Sequence, residues 1–319
     1  MTEPRMIRNR QLSLLIKEKA KELGFDACGI ARASAMQDHH HKLSQWLSKG
    51  YQAQMSYMEK NLDRRTDPRL LVPGAKSVIV LAMNYFHDNA QPGNAFYKVA
   101  RYAWGRDYHQ VIKHRLHQLA GMLSELAGQH QYRVFTDSAP VLERSWAQLA
   151  GLGTYGKNTC LILPRKGSFF FLGEIMTSLE LTPDKPFHKD LCGTCTKCIE
   201  ACPTNALVKP GWLDAGKCLS YLTIELKGNI PGDFRNKTRG WIFGCDSCQE
   251  VCPHNKHATI HKTKELAPLP AIATWNRQQW EAMTESDYHA AFKRENSAIA
   301  RAPYAKLCDN IRAAASANP

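Results

Sequence analysis

Two runs of cysteines, each ending in Cys-Pro, constrain this chain of 319 residues more than any other feature. The first run reads Cys-x-x-Cys-x-x-Cys-x-x-x-Cys-Pro, the bacterial ferredoxin spacing, in which the fourth thiolate binds a different 4Fe–4S cluster from the first three. The second run has only the last three positions, because Ile242 stands where its first cysteine is expected. Cys218, between the runs, is therefore predicted to supply the missing ligand.

Exchanging the last ligand of each run, as in two-cluster ferredoxins, predicts two sets of four thiolates. Structural zinc also uses paired Cys-x-x-Cys sequences, but it does not explain a triple run or a Cys-Pro in both runs. We therefore predict two 4Fe–4S clusters and a redox function. One set is Cys192, Cys195, Cys198 and Cys252; the other is Cys202, Cys218, Cys245 and Cys248. Cys28, Cys160 and Cys308 are isolated and are predicted to be small buried apolar residues.

The composition is that of a globular protein, with 44% hydrophobic and 22% charged residues. No apolar run reaches the roughly 18 residues of a membrane span, and no signal peptide is evident, so a cytoplasmic location is expected. Disulfides do not persist there, which favours metal binding by the cysteines. The net charge of +13 suits a nucleic-acid partner or, equally, an ordinary basic surface.

The hydrophobic pattern predicts three regions. Residues 1–181 mix helical and strand periodicities, which indicates an α/β or α+β domain. A proline-containing linker at 182–190 opens a ferredoxin-like domain over 182–260, and a helical region follows over 261–319, with helix expected from about residue 277. Within the first region, helices are predicted at 11–24, 112–128 and 140–150, and strands at 25–30, 77–84, 132–136 and within 169–181.

Four stretches ahead of the cysteines resemble the epoxyqueuosine reductases, and the two cysteine runs follow in that family's order. The resemblance covers most of residues 5–260. It implies reduction of epoxyqueuosine to queuosine at the wobble position of tRNA, with the epoxide oxygen removed as water by two electrons and two protons. It also implies that electrons pass through the clusters to a bound cobalamin. The stretches are RRTDPRLLVPGAKS (64–77), WGRDYH (104–109), TDSAPVLER (136–144) and GLGTYGKNTCLILPRKGSFFFLGEI (151–175).

The resemblance places the proton donor at Asp137, directly after a predicted strand. A carboxylic acid serves as donor when its pKa is raised, for example by burial; the alternative role for Asp137 is a helix N-cap. Asp107-Tyr108-His109 begins a string like the cobalamin motif Asp-x-His-x-x-Gly, but Ile112 replaces the glycine, so His109 is predicted to be a pocket or core residue rather than a cobalt ligand. The predicted cofactor contacts are Asp137, Lys157, Asn158 and Ser168, the last three in a glycine-rich stretch that permits close backbone approach, and Ser220 beside a cluster ligand.

A basic segment inside the cysteine region is the predicted tRNA contact, with Trp241 placed to stack on a base. Ordinary solvated charge is the alternative. The further partner is a low-potential electron donor, and a monomer is expected. Longer relatives carry a C-terminal helical repeat region that helps to hold tRNA, and residues 296–319 resemble only its start. The predicted tRNA-binding residues are Lys227, Arg235, Lys237 and Arg239.

Three other functions fit parts of the pattern. A corrinoid-dependent reductase of a small molecule, like the reductive dehalogenases, would share both cofactors, but those enzymes are typically exported. A non-catalytic electron-transfer protein would hold the clusters without Asp137 or a cofactor pocket, and its cobalt content would distinguish it. A tRNA-binding protein with structural clusters would be inert in redox reactions.

Overall fold

The computed structural model describes residues 3–87 and 96–317. Four strands form a sheet in the order β1-β2-β7-β4 with every pairing antiparallel, and the other strands form three two-stranded pairs. The strands are β1 (Ala27–Arg32), β2 (Ser77–Asn84), β3 (Lys98–Val99), β4 (Tyr132–Phe135), β5 (Thr154–Tyr155), β6 (Leu161–Ile162), β7 (Phe170–Thr177), β8 (Leu207–Lys209), β9 (Trp212–Leu213) and β10 (Trp241–Phe243).

The α-helices are longest in the first half and at the C-terminal end of the described chain. They are α1 (Glu3–Glu22), α2 (Gln37–Ser48), α3 (Leu62–Thr66), α4 (Tyr108–Ala127), α5 (Glu143–Leu149), α6 (Lys197–Glu200), α7 (Leu219–Ile224), α8 (Gly232–Arg235), α9 (Ser247–Glu250), α10 (Pro270–Thr274), α11 (Arg277–Glu281), α12 (Glu285–Tyr288) and α13 (Tyr304–Ala317). No helix among these is long and apolar enough to cross a bilayer.

The central strand β2 is buried along its whole length because helices cover both faces of the sheet. Successive side chains of a strand point to opposite faces. Ile79 and Leu81 therefore pack with α1 and α4, while Val78 and Val80 pack with α5. Burying each such side chain contributes about 1.5–3 kcal/mol. The mixed domain predicted from the sequence is thus an α+β layered structure.

Helix α4 places its first turn at the edge of the sheet from which the functional side chains project. Asp107 begins the helix, since its carboxylate accepts a hydrogen bond of 3.0 Å from the backbone N–H of His109. Gly173 of β7 lets the helix approach closely, because a Cβ there would lie 2.8 Å from Ile112 Cγ2. Gly128 ends the helix with a φ of +81°, as predicted.

The chain after β4 is fastened to the sheet by Thr136, whose buried hydroxyl donates a hydrogen bond of 2.7 Å to the Leu172 carbonyl. Asp137 follows with a φ of +51°, an uncommon conformation for a residue other than glycine. The predicted helix at 140–150 begins only at Glu143, with Leu142 at the N-cap position. The N-cap alternative for Asp137 is therefore wrong.

The second half of the chain is built from short helices and turns. Residues 182–190 have no helix or strand, as predicted, and Asp184 anchors them through Lys17 at 2.5 Å and the N–H of Ile30 at 2.9 Å. The helix predicted from residue 277 is divided into α11, α12, a π-helical turn and α13. Capping boxes at Asn276 and Thr284 start two of these helices, which explains the division.

Candidate active site

A cavity of about 900 Å³ lies between the sheet, the cysteine-bearing region and the segment 296–301. Asp137 and the first turn of α4 line it on the sheet side, and Cys218 and Ser220 line it on the cysteine side. The volume is in the range of cofactor and small-molecule sites. The cavity therefore has a proton-bearing end, formed by Asp137 and the first turn of α4, and a thiol-bearing end, which contains Cys218.

The proton-bearing end is organised around two carboxylates and one imidazole. The Tyr108 hydroxyl donates a hydrogen bond of 2.5 Å to Asp137 Oδ2, and His109 Nε2 lies 3.3 Å from the same oxygen. His109 Nδ1 contacts Asp107 Oδ1 at 2.6 Å. The Tyr108 ring is stacked between His109 and Phe171, with ring centroids 4.2 and 4.0 Å apart. His109 lines the cavity, as predicted, and both of its imidazole nitrogens face carboxylates.

The charges in this group favour a protonated histidine. Burial alone would lower the pKa of His109, but hydrogen bonds and the charges of Asp107 and Asp137 outweigh it and raise this pKa to about 9. Burial alone would raise the pKa of Asp137, but hydrogen bonds from His109 and Tyr108, with the His109 charge, hold it below its usual value. The expectation of a raised Asp137 pKa is therefore wrong. The order of these two pKa values favours an imidazolium at His109 beside an ionised Asp137 carboxylate.

Glu143, which was not singled out from the sequence, also lines the cavity. Its Oε1 accepts a hydrogen bond of 2.5 Å from the backbone N–H of Asp137. Burial, followed by the negative charge of Asp137, raises the pKa of Glu143 to about 8. The sequence signal was the glutamate of the TDSAPVLER stretch, six residues after the aspartate.

The first predicted set of cysteines is brought together near α6 and α9. Burial raises the pKa of the Cys198 thiol, and the neighbouring thiolates of Cys192, Cys252 and Cys195 raise it further. Cys252 likewise has a pKa raised by burial and by the charge of Cys192. The last cysteine of the second run therefore lies with the first three of the first run.

The second predicted set is also brought together. Burial raises the pKa of Cys218, which lies near Cys202. Burial raises the pKa of Cys245 to about 12, with Cys218 a neighbouring charge, and Cys248 lies close to both. Among the described residues, no three cysteine, histidine, aspartate or glutamate side chains converge on a point that could hold a single metal ion. All eight residues of the two sets are cysteines, and thiolates are the ligands that hold 4Fe–4S clusters.

Cys160 lies beside the second set, contrary to the prediction that it is only a small core residue. Its thiol is hydrogen-bonded to Cys248, and this contact is the largest influence on the pKa of either group: it lowers that of Cys160 and raises that of Cys248. Asn158 holds the two together, since its side chain accepts from the N–H of Cys160 at 3.2 Å and donates to the Cys248 carbonyl at 3.3 Å. Cys28 and Cys308 pack against the apolar cores, as predicted.

Comparison with known proteins identifies the family. Residues 65–138 match the family described as epoxyqueuosine reductase QueG, DUF1730, and residues 191–255 match the 4Fe–4S double cluster binding domain. The epoxyqueuosine reductase of Cyclobacterium marinum is 46% identical over 298 residues, which cover 93% of this chain and 94% of that one. The chain belongs to the epoxyqueuosine reductase family.

Solved structures of epoxyqueuosine reductases have the same fold. One of them, with an epoxyqueuosine-modified tRNA-Tyr stem loop, has a TM-score of 0.86 at 32% identity and covers 96% of this chain and 80% of its own. Another, from Bacillus subtilis with its catalytic aspartate loop swung out of the active site, has a TM-score of 0.83 at 32% identity, covering 96% and 81%. The predicted family, fold class and pair of 4Fe–4S clusters are confirmed.

Not all of the cofactor contacts predicted from the family resemblance lie at the cavity. Ser220 and Ser168 line the cavity, and Ser168 is buried in a hydrogen-bond network with Gln249 and Asn255. Lys157 is directed away from the cavity, because its ammonium donates to the Gly193 carbonyl at 2.6 Å. Asn158 links Cys160 to Cys248, as described above.

The glycines of this stretch do not make room for a ligand, contrary to the prediction. A Cβ at Gly153 would lie 2.1 Å from the Ile162 carbonyl oxygen, and one at Gly156 would lie 2.6 Å from the Asn158 side chain. The space at both glycines is therefore occupied by the chain itself around β5 and β6.

Three of the four basic residues predicted to bind tRNA are exposed, and the fourth, Arg235, is held in an ion pair. Lys227, Lys237 and Arg239 are exposed. Arg235 is held within the protein by a 2.8 Å ion pair with the buried Asp309 of α13. Trp241 is buried, and its indole N–H donates to Ser247 at 3.0 Å, so the prediction that it stacks on a base is wrong.

Proposed function

We propose that this protein reduces epoxyqueuosine to queuosine in tRNA, removing the epoxide oxygen as water. The observation that carries the proposal is a cavity with the cluster cysteine Cys218 at one end and the His109–Asp137 pair at the other. A reductive loss of water needs electrons and protons delivered to one place, and this cavity offers both. The family membership supports the same substrate.

We propose that the two sets of four cysteines, with Cys218 in the second, hold the two 4Fe–4S clusters. Cys218 is the cluster cysteine that also lines the cavity, with Ser220 beside it. The second cluster is then the one from which electrons enter the cavity. The proposed units are residues 1–181 for the catalytic domain, 182–260 for the cluster domain and 261–319 for the helical region.

The cavity suits a bound cobalamin. It is large, it is lined by aromatic and aliphatic side chains such as Tyr102, Phe171 and Leu172, and it presents no histidine nitrogen free to bind cobalt among the described residues. Ser168, Ser220 and Asp137 would contact the cofactor, and Lys157 and Asn158 would act indirectly by bracing the cluster loops. When bound, cobalamin supplies a reduced metal centre that takes electrons from the clusters to the epoxide-bearing ring.

The chain's own residues would handle the first proton. The His109 imidazolium holds it, with Asp107 fixing the ring from behind at 2.6 Å. Asp137 relays it to the departing oxygen, while the Tyr108 hydroxyl keeps the carboxylate in place. A positioned acid of this kind contributes about 100- to 10,000-fold to the rate.

The tRNA would approach from the open side of the cavity. Arg301 lies at its rim with 59% of its side chain exposed, held at 2.6 Å by Glu225. Lys227, Lys237 and Arg239 add exposed positive charge, which suits phosphate contacts. We expect a monomeric cytoplasmic enzyme that takes electrons from a separate low-potential donor.

An anaerobic conversion assay tests this function. The protein is reconstituted with iron, sulfide and cobalamin, given a low-potential reductant and tRNA carrying epoxyqueuosine, and the digested nucleosides are weighed by mass spectrometry. We expect loss of one oxygen atom that depends on cobalamin. No conversion by protein with both clusters intact would contradict the proposal and favour reduction of a small molecule instead.

A further inference from the structure

The first set of cysteines opens on a part of the surface that is separate from the active-site cavity. Cys192 and Cys195 line a surface hollow together with Lys197 and Pro253, and no residue that lines this hollow also lines the cavity. Cys218 of the second set borders the cavity instead. The two proposed clusters therefore face two different parts of the molecule.

Three segments of the chain meet around this hollow. The imidazole of His254 lies 2.8 Å from the Leu191 carbonyl oxygen, which ties the second cysteine run to the first. Helix α6 begins at Lys197 and packs against α9, which ends just before Val251. We call the surface around the hollow the cluster face. Its members are Lys157, Lys189, Lys197, Val251 and Lys256.

The cluster face carries unpaired lysines. Lys189, Lys197 and Lys256 are exposed, and their ammonium groups form no ion pair or hydrogen bond with any residue that the structure describes. Lys157 adds a fourth ammonium, which donates a hydrogen bond of 2.6 Å to the Gly193 carbonyl in the loop of the first cysteine run. Together these groups give the rim of the first cluster site a positive potential.

The acidic groups nearby are engaged within the protein. Arg101 holds Glu250 in an ion pair at 2.9 Å. Asp190 accepts a backbone N–H of the first cysteine run at 2.8 Å, and Glu200 accepts a side-chain hydroxyl of the turn before it. Since the four lysines and Arg101 outnumber these three acids, the balance of the cluster face is positive.

An exposed apolar side chain lies within this positive surface. Val251 directly precedes the proposed ligand Cys252, and 38% of the valine is exposed. Protein interfaces combine an apolar centre with a polar rim, and transient electron-transfer complexes bury small areas, below about 1,200 Å². One valine with lysines around it suits a brief contact of that kind, close to the first cluster.

We propose that the cluster face is the docking surface of the electron donor, and that the donor is an acidic one-electron carrier protein. The inference rests on the proposed function, which needs two electrons for each epoxide. Each reduced donor molecule gives one electron to the first cluster and leaves oxidised. Two donor molecules are therefore oxidised for each epoxide oxygen that leaves, with two protons, as water.

Charge complementarity favours this partner. Attraction between acidic groups and lysines speeds the encounter, and a small interface lets the oxidised donor leave again. The tRNA is the other anionic partner of the proposed reaction. Its modified base must enter the cavity, which has no lining residue in common with the hollow at the cluster face.

The test compares two routes of reduction in the reconstituted holoenzyme. The protein donor is reduced flavodoxin or an acidic ferredoxin, and the small reductant is dithionite, which needs no docking surface. Lys189→Glu with Lys256→Glu reverses two charges of the cluster face, and the corresponding double glutamine variant only removes them. Lys21→Glu with Lys76→Glu, which reverses two exposed lysines of the first domain, is the matched control. Iron content and tRNA binding are measured for each protein first.

With either protein donor at limiting concentration, conversion should fall about tenfold in the double glutamate variant, less in the double glutamine variant, and not in the control. The dissociation constant of the oxidised donor, measured by calorimetry without turnover, should rise in the same order. In the wild type it should also rise with added salt. With dithionite, every variant should convert epoxyqueuosine at the wild-type rate and bind tRNA as the wild type does.

Unaltered donor binding in both cluster-face variants would overturn the inference, as would a wild type that binds neither protein donor. Loss of tRNA binding in place of donor binding would also overturn it and make the cluster face a nucleic-acid contact. If the double glutamate variant fails to assemble its clusters, the double glutamine variant decides by the same measurements. A wild type that converts nothing with dithionite would overturn the proposed function, while the dissociation constants would still decide the docking surface.

Discussion

Replacing Asp107 by asparagine should move the alkaline limit of activity to lower pH while leaving the cavity acid in place. The pKa of His109 is raised from an ordinary 6.5 to about 9, and two carboxylates cause this increase. The difference corresponds to about 3.4 kcal/mol in favour of the imidazolium. Asp107 accounts for part of it, and solvent screening reduces that part, because 27% of the His109 side chain is exposed. About 1.4 kcal/mol, or one pH unit, is the expected loss.

The sign follows from the role of the proton. Activity requires the protonated pair, so it is present at low pH and declines as the pH rises through the His109 pKa. The wild-type kcat/KM should therefore decline near pH 9, and that of Asp107→Asn should decline about one pH unit lower. Asparagine is a good helix N-cap, so α4 should remain intact.

The assay is anaerobic conversion of epoxyqueuosine-bearing tRNA between pH 6 and pH 10, with Asp137→Asn as the comparison. Asp137→Asn should lose about 100- to 10,000-fold at every pH, because it removes the relay to the departing oxygen. A wild-type profile that stays flat to pH 10 would refute this reasoning, as would an Asp107→Asn profile that coincides with the wild type.

Three further predictions follow from contacts outside this pair. Cys218→Ala should halve the iron bound per reconstituted chain, whereas Cys160→Ala should leave it unchanged; equal losses would make Cys160 a ligand. Arg235→Ala should lower the thermal midpoint, since its buried acid partner on α13 loses an ion pair at a cost of about 2 kcal/mol, and an unchanged midpoint would contradict this. The double replacement of Lys237 and Arg239 by alanine should keep the midpoint but weaken tRNA binding and reduce its salt slope by about 1 to 2; unaltered binding would exclude the segment.

Much of the fold was predictable where local pattern and burial agree. The strand at 77–84 was predicted at its observed bounds, because helices on both faces require the uninterrupted apolar residues at 78–83. The helix ending at Gly128 was predicted from its periodicity and its C-cap. The region after residue 277 was predicted less well. It was predicted only as helical from about Arg277 to the end, and the capping boxes at Asn276 and Thr284 divide it into separate helices. The boundaries after residues 181 and 260 stay predictions.

The candidate site was predictable where chemistry fixes the spacing. A cluster requires cysteines at set intervals, so both ligand sets could be predicted from the sequence. The structure places Cys252 near Cys198 and Cys202 near Cys218, and the ligand assignment itself stays a prediction. Roles that depend on distant partners could not be assigned. Arg235 looked like a tRNA contact because its partner Asp309 lies 74 residues further along the chain. Glu143 was not singled out because the burial that raises its pKa exists only in the fold.

The central claim is that the cavity between Cys218 and Asp137 binds cobalamin, and a binding titration tests it most directly. Cobalamin is added anaerobically to the reconstituted protein and bound cofactor is counted from the visible spectrum. Ala298→Trp, which fills the cavity wall, is compared with Gln278→Trp on the exposed side of α11. The wild type and Gln278→Trp should each bind one cobalamin per chain, while Ala298→Trp should bind none and keep both clusters. Full binding by Ala298→Trp, or none by the wild type, would contradict the account.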